Sequence, residues 1–126
     1  MAYLHHLTIV VPPGGTDAVV AFYAEVLGFA RIPKKSKSEH VTGAWLQLTP
    51  TVQLHLSESD LPPHPSVHFA LVVDDLAAVL DKLAARGACW HTQSDVLGSP
   101  RGFTIDPAGN RVELIQAADT LPAAAG

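Results

Sequence analysis

The stretch His6-Leu7-Thr8-Ile9-Val10-Val11 decides the reading of this chain, because a run of the same kind, His68-Phe69-Ala70-Leu71-Val72-Val73, opens 62 residues later. Each run is short, apolar and rich in Val, Ile and Leu, as a strand requires. Side chains alternate along a strand. Leu7, Ile9 and Val11 therefore share one face, and His6, Thr8 and Val10 the other. In the second run Phe69, Leu71 and Val73 oppose His68, Ala70 and Val72. The bulky faces suit packing under a helix, and the histidine faces suit the wall of a cavity.

Outward from these runs the correspondence continues. Asp17 and Asp75 lie 58 residues apart, Gly28 and Gly87 59, Gly43 and Gly102 59, and Gln53 and Glu113 60. A nearly constant offset over these landmarks marks an internal repeat of about 60 residues. After each opening strand comes an amphipathic stretch. Val19, Phe22, Tyr23, Val26 and Leu27 recur at helical spacing in the first, and Leu76, Val79, Leu80 and Leu83 in the second. Thr16 or Asp17 is the candidate N-cap of the first helix, and Asp74 or Asp75 that of the second. Both helices are expected to end at glycine, Gly28 and Gly87. Closing strands are predicted over 44–48, 52–56, 102–105 and 111–115, with turns at Thr49-Pro50-Thr51 and Asp106-Pro107-Ala108-Gly109-Asn110.

The element order is thus strand, helix, then two or three strands, twice over. That is an α+β fold of two tandem βαβββ units, over about 4–57 and 66–116, within a single domain spanning 1–126. The units would form one cupped mixed sheet with the helices on its outer face. Residues 57–66, with Pro62, Pro63 and Pro65, read as the linker, and 117–126 as a frayed tail.

Composition sets the broad class. Of 126 residues, 48% are apolar and 16% charged, enough for a packed core in one domain. No run approaches the roughly 20 apolar residues of a membrane span. The N-terminal segment lacks the pattern of a signal peptide. A cytoplasmic protein with no membrane partner is the expectation. The net charge of −4, with Lys34, Lys35 and Lys37 as the only basic cluster, argues against nucleic acid as a partner. Those lysines read as a solvated loop, with attraction of an anionic substrate as the other reading. The single cysteine, Cys89, excludes an internal disulfide and, beside Trp90, reads as packing rather than as a nucleophile.

The closing strands repeat the facial split. Val112 and Leu114 oppose Glu113, while Val52, Leu54 and Leu56 oppose Gln53 and His55. If the two units pair, His6, Gln53, His68 and Glu113 converge. His55 shares Gln53's face and is open to three roles: imidazole ligand, general base or substrate contact. His5 falls on the opposite face from His6, and His40, His64 and His91 fall in expected loops.

Over roughly residues 4 to 116 the chain resembles the vicinal oxygen chelate superfamily, which includes glyoxalase I, methylmalonyl-CoA epimerase, extradiol dioxygenases and bleomycin resistance proteins. The marks are the His6 strand, Phe22-Tyr23 with Val26-Leu27-Gly28-Phe29, Val72-Val73-Asp74-Asp75-Leu76, and Asp106-Pro107-Ala108-Gly109-Asn110-Arg111-Val112-Glu113. The resemblance implies a divalent metal ion (Zn, Mn, Ni, Co or Fe) held by His6, His68 and Glu113, with Gln53 at the fourth position. It further implies a small substrate that chelates the ion through oxygens, with Glu113 as ligand and base. Gln53 stands where many glyoxalases carry a second carboxylate, and the set His, Gln, His, Glu is similar to the epimerase. Phe103 replaces the tyrosine of the extradiol signature, which counts against ring cleavage. A metal-free binding or drug-resistance protein is the other class, with Trp45, Trp90 and Phe103 available as an aromatic wall. Arg101, just before the Gly102 strand, would anchor an anionic substrate or else be surface charge. Members of this length are commonly homodimers, so a homodimer is expected.

Overall fold

Nearly every strand expected from the alternation forms. The first helix buries all of its apolar stripe but Leu27, and the second buries half of its own, with Val79 and Leu80 only half-buried. In the computed structural model, residues 1–34, 42–94 and 98–118 are described, and the chain divides into two units. Residues 1–64 and 107–110 make the first unit, and 65–106 and 111–126 the second.

The first unit runs β1 (His6–Val11), α1 (Thr16–Leu27), β2 (Ala30–Ile32), β3 (Ala44–Thr49) and β4 (Val52–Glu58). Its sheet order is β1-β4-β3-β2, with β1 parallel to β4 and the remaining pairs antiparallel. The second unit runs β5 (His68–Val73), α2 (Leu76–Ala85), β6 (His91–Gln93), β7 (Arg101–Ile105) and β8 (Arg111–Gln116). Its order is β5-β8-β7-β6, with the same senses. The βαβββ repeat is therefore present as two four-stranded mixed sheets, one per unit. The parallel pair in each unit needs a long crossover, and the helix supplies it.

Helix α1 places Val19, Phe22, Tyr23 and Val26 in the core with Ile9, Val11, Leu46, Leu54 and Leu56. Burying each such side chain contributes about 1.5–3 kcal/mol. Helix α2 buries Leu76 and Leu83, and Val112 and Leu114 of its own sheet are buried as well. Both helices stop where Gly28 and Gly87 take positive φ, 73° and 68°, a backbone region that glycine enters without penalty.

The starts differ from the expectation in one unit. Asp75 caps α2, its carboxylate accepting the Ala78 N–H at 3.1 Å. Neither Thr16 nor Asp17 caps α1: the N-cap is Gly15, and the Thr16 hydroxyl instead donates to Glu58 Oε2 at 2.8 Å. Glu58 also accepts the N–H groups of Gly14 and Gly43, so one carboxylate joins the end of β4 to the start of α1. These donors hold its pKa below the usual carboxylate value, the Gly14 N–H contributing most. At the matching place in the second unit, the Gln116 amide accepts from Leu76 N–H and donates to the Asp74 carbonyl.

Three smaller expectations change. His91 opens strand β6 rather than lying in a loop. Strand β4 extends to Glu58, so the connection between the units begins later than residue 57. Cys89 is exposed, not packed, in the connection between α2 and β6. His40, Lys35, Lys37 and most of the tail lie outside the described residues. Among the described residues, no helix is long and apolar enough to cross a membrane.

Candidate functional site

In the first unit, β1, β4 and β3 lie side by side, and their registers bring His6 opposite Gln53, Thr8 opposite His55, and His55 opposite Trp45. All of these lie on the face turned away from Leu54 and Leu56. The rings form a ladder across the three strands. Trp45 stacks on His55 at 4.4 Å between centroids and 7° between planes, and His55 stacks on His6 at 4.1 Å and 15°. His5 is exposed, and its Nδ1 lies 2.9 Å from Nδ1 of His6.

His55 Nε2 lies 2.8 Å from Gln53 Oε1. With the amide oxygen accepting, the imidazole proton sits on Nε2 and the lone pair on Nδ1. The pKa of His55 is lowered, first by burial and then by His6, His5 and Lys34. At neutral pH the ring is therefore uncharged, with a lone pair free for a proton or a cation. Gln53 orients His55.

In the second unit, the open face carries His68, Glu113, Phe103, Arg111 and Arg101. His68 Nε2 lies 3.7 Å from Glu113 Oε1, and Arg101 Nη1 lies 3.3 Å from the same oxygen. The Arg101 Nε–H donates to the Ser94 carbonyl at 3.0 Å. Phe103 is buried, takes the edge of His68 at 5.0 Å, and has the Arg111 guanidinium 3.8 Å above its ring. Arg101 is thus paired with Glu113, and Arg111, which the sequence marks only as part of the run from Asp106 to Glu113, lies on the same face.

The registers also revise the alignment of the halves. His6 and His68 are both the first residues of their strands, but His6 pairs with Gln53 and His68 with Arg111. Gln53 therefore corresponds to Arg111, and His55 to Glu113. The same step matches Trp45 with Phe103, since each lies opposite that closing-strand residue. Each unit holds a nitrogen or oxygen donor at the same two places, His6 and His55 in one, His68 and Glu113 in the other.

His6 and His55 in the first unit, and His68 and Glu113 in the second, are donors of the types that borderline divalent ions take. The His68–Glu113 separation is a few tenths of an ångström wider than two ligand bonds of about 2.0–2.2 Å normally span, so small side-chain rotations would bring that pair to coordinating distance. Among the described residues, no group of three or more His, Cys, Asp or Glu side chains is arranged to hold an ion. The donors fit a metal by type; their present orientations are set by ring stacking and by Arg101. Elsewhere among the described residues, a cavity of about 400 Å³ is lined by Arg31, Lys34 and Ala44 among others, and another of about 240 Å³ by Pro12, Leu61 and Pro62 among others.

A family model described as Glyoxalase/Bleomycin resistance protein/Dioxygenase superfamily matches residues 3–114. No curated protein matches the chain significantly. Among solved structures, a protein assigned to the glyoxalase family from Bacillus anthracis is similar over 94% of this chain and 97% of its own, at 23% identity and a TM-score of 0.83. TnmS3, an antibiotic binding protein from Streptomyces sp. CB03234, matches over 94% and 98%, at 24% identity and a TM-score of 0.70. Lactoylglutathione lyase from Agrobacterium tumefaciens matches over 93% and 95%, at 22% identity and a TM-score of 0.68. At these identities the likeness to the solved structures is one of fold.

Proposed function

The chain belongs to the Glyoxalase/Bleomycin resistance protein/Dioxygenase superfamily, and from that premise we propose that it is a divalent-metal-dependent, glyoxalase-like isomerase, lyase or epimerase acting on a small oxygen-bearing molecule. The observation that carries this reading is the repeated donor pair. The duplication has let most open-face residues diverge, yet the same two places hold His6 and His55 in one unit and His68 and Glu113 in the other. Of these, His6, His68 and Glu113 are the residues offered to the ion, and His55 is kept for the proton. When bound, a divalent ion supplies Lewis-acid polarisation of substrate oxygens and stabilisation of the oxyanion that develops there.

The chain's own residues supply the rest. His55, uncharged at neutral pH and oriented by Gln53, can take a carbon-bound proton at Nδ1. Trp45 fixes the plane of that ring by stacking. Phe103 gives the second open face an apolar floor beside Glu113 and His68. A metal-free binding protein is the second reading. The ion pair of Arg101 with Glu113 favours it, because the carboxylate already has a counter-charge.

The test is the metal content of untagged protein after reconstitution with Zn²⁺, Mn²⁺, Ni²⁺, Co²⁺ or Fe²⁺, compared with His68→Ala. About one equivalent per chain, lost in the variant, is the expected result. Absence of metal from the wild-type chain with every ion would overturn the enzyme reading in favour of the binding protein.

A further inference from the structure

Resting on that metal reading, we infer that Arg101 competes with the metal ion for Glu113: its guanidinium neutralises the carboxylate in the ion-free chain and must give way when an ion binds. The side chain of Glu113 is 8% exposed and that of Arg101 13%, so this pair is shielded from water on both sides. A carboxylate so placed needs a partner charge or hydrogen-bond donors. The two groups that approach Oε1 are of opposite kinds. His68 offers a nitrogen of the sort that ligates metals, and Arg101 offers a fixed positive charge.

Arg101 is held in place from behind by its Nε–H bond to the Ser94 carbonyl, so its contact with Glu113 is not that of a mobile surface pair. A guanidinium stays protonated throughout the accessible pH range and offers no lone pair. It cannot join the donor set. An ion taking Oε1 works against that charge at a few ångströms, a repulsion that lowers its affinity. The guanidinium at this place belongs to the second unit. Ala44 corresponds to Gly102 by register, and the residue before it is Gly43, so His55 has no counterpart of Arg101.

Substitution Arg101→Met tests this on the full-length, metal-free chain, with Arg101→Gln as a second variant that keeps hydrogen-bond donors without the charge. The measurements are the Co²⁺ and Zn²⁺ dissociation constants by chelator competition at neutral pH, and thermal unfolding without metal. Both variants are expected to melt earlier than wild type without metal and to bind Co²⁺ about tenfold tighter or more. A merely structural role for Arg101 predicts the opposite sign, weaker binding from a loosened site. Equal or weaker affinity in both variants, with wild type binding metal, overturns the inference and leaves metal dependence standing. Binding by the variants alone supports the competition while counting against a wild-type metalloenzyme. Absence of binding in all three chains overturns both.

Discussion

The two units follow the same order of elements in the same register and differ in what fills it. On β3, Ala44 and Leu46 lie opposite Leu56 and Leu54; on β7, Gly102 and Thr104 lie opposite Leu114 and Val112. The first unit buries four apolar side chains of α1, including Phe22 and Tyr23, whereas the second buries two leucines of α2. Thr104, fully buried, satisfies its hydroxyl on the Cys89 carbonyl at 2.7 Å. The open faces diverge as well: Trp45, His55 and Gln53 correspond to Phe103, Glu113 and Arg111. A stacked, uncharged surface in one unit thus answers to a charged one in the other. Strand pairing depends on backbone groups and alternation, so it survives the exchange of nearly every side chain. Core volume and open-face chemistry are free to drift independently.

The largest expected effect comes from moving a core residue between units. Leu46 is fully buried, and Leu46→Thr gives the first unit the second unit's residue. The lost side chain leaves a cavity lined by larger neighbours and adds a hydroxyl, so a loss of about 2–5 kcal/mol is expected in urea unfolding. A loss below about 1 kcal/mol would break the comparison, because the first core would then be no more tightly filled than the second. Next comes the reverse exchange. A Cβ at Gly102 would stand 2.5 Å from Trp90 Cζ2 and 2.6 Å from the His91 carbonyl oxygen, whereas the first unit already carries Ala44 there. Gly102→Ala should cost about 1–3 kcal/mol and displace Trp90, read as a change in tryptophan emission. Wild-type stability with unchanged emission would show that the second core yields more readily than its close contacts imply.

Much of this was legible in the sequence, and the misses have a common physical origin. The opening and closing strands, both helix ends and the Asp75 cap follow from local patterns, and local patterns are what propensity and alternation govern. Pairing across the sheet is not local. Four residues, Pro12 to Gly15, separate β1 from α1, against Asp74 and Asp75 in the second unit, and α1 has 12 residues to α2's 10. The offset therefore slides from 62 at the opening strands to 58 at the closing ones, which is why Gln53 rather than His55 was set against Glu113. Arg101 was expected to await an anionic substrate and is found beside Glu113. That pairing was open to inference from the β7–β8 hairpin: Arg101 lies opposite Ile115, so Glu113 is its diagonal neighbour on the same face. His6, His68, Glu113 and His55 occupy open-face positions in their own sheets, as the alternation implied.

The smallest expected effect lies where the units place an acid and an amide at one position. Glu58 ends β4 opposite Val11, and Gln116 ends β8 opposite Val73. Glu58 accepts from three donors, whereas Gln116 accepts one and uses its NH₂ on carbonyls. In Glu58→Gln the amide NH₂ would meet donors in the first unit, and although the Thr16 hydroxyl can rotate to accept, the Gly43 N–H cannot. The wild-type carboxyl has its pKa lowered by these bonds, the Gly14 N–H first. Its contribution to stability is present above the ordinary value of 4.5 and is lost as the pH falls through the depressed folded value. The stability difference between wild type and Glu58→Gln should accordingly be constant near neutrality and shrink on acidification below about pH 4.5, measured by urea unfolding from pH 7 to pH 3. A difference that stays constant to pH 3 would mean that the carboxylate's charge does not hold the start of α1. The acid and the amide would then be equivalent solutions to one structural need.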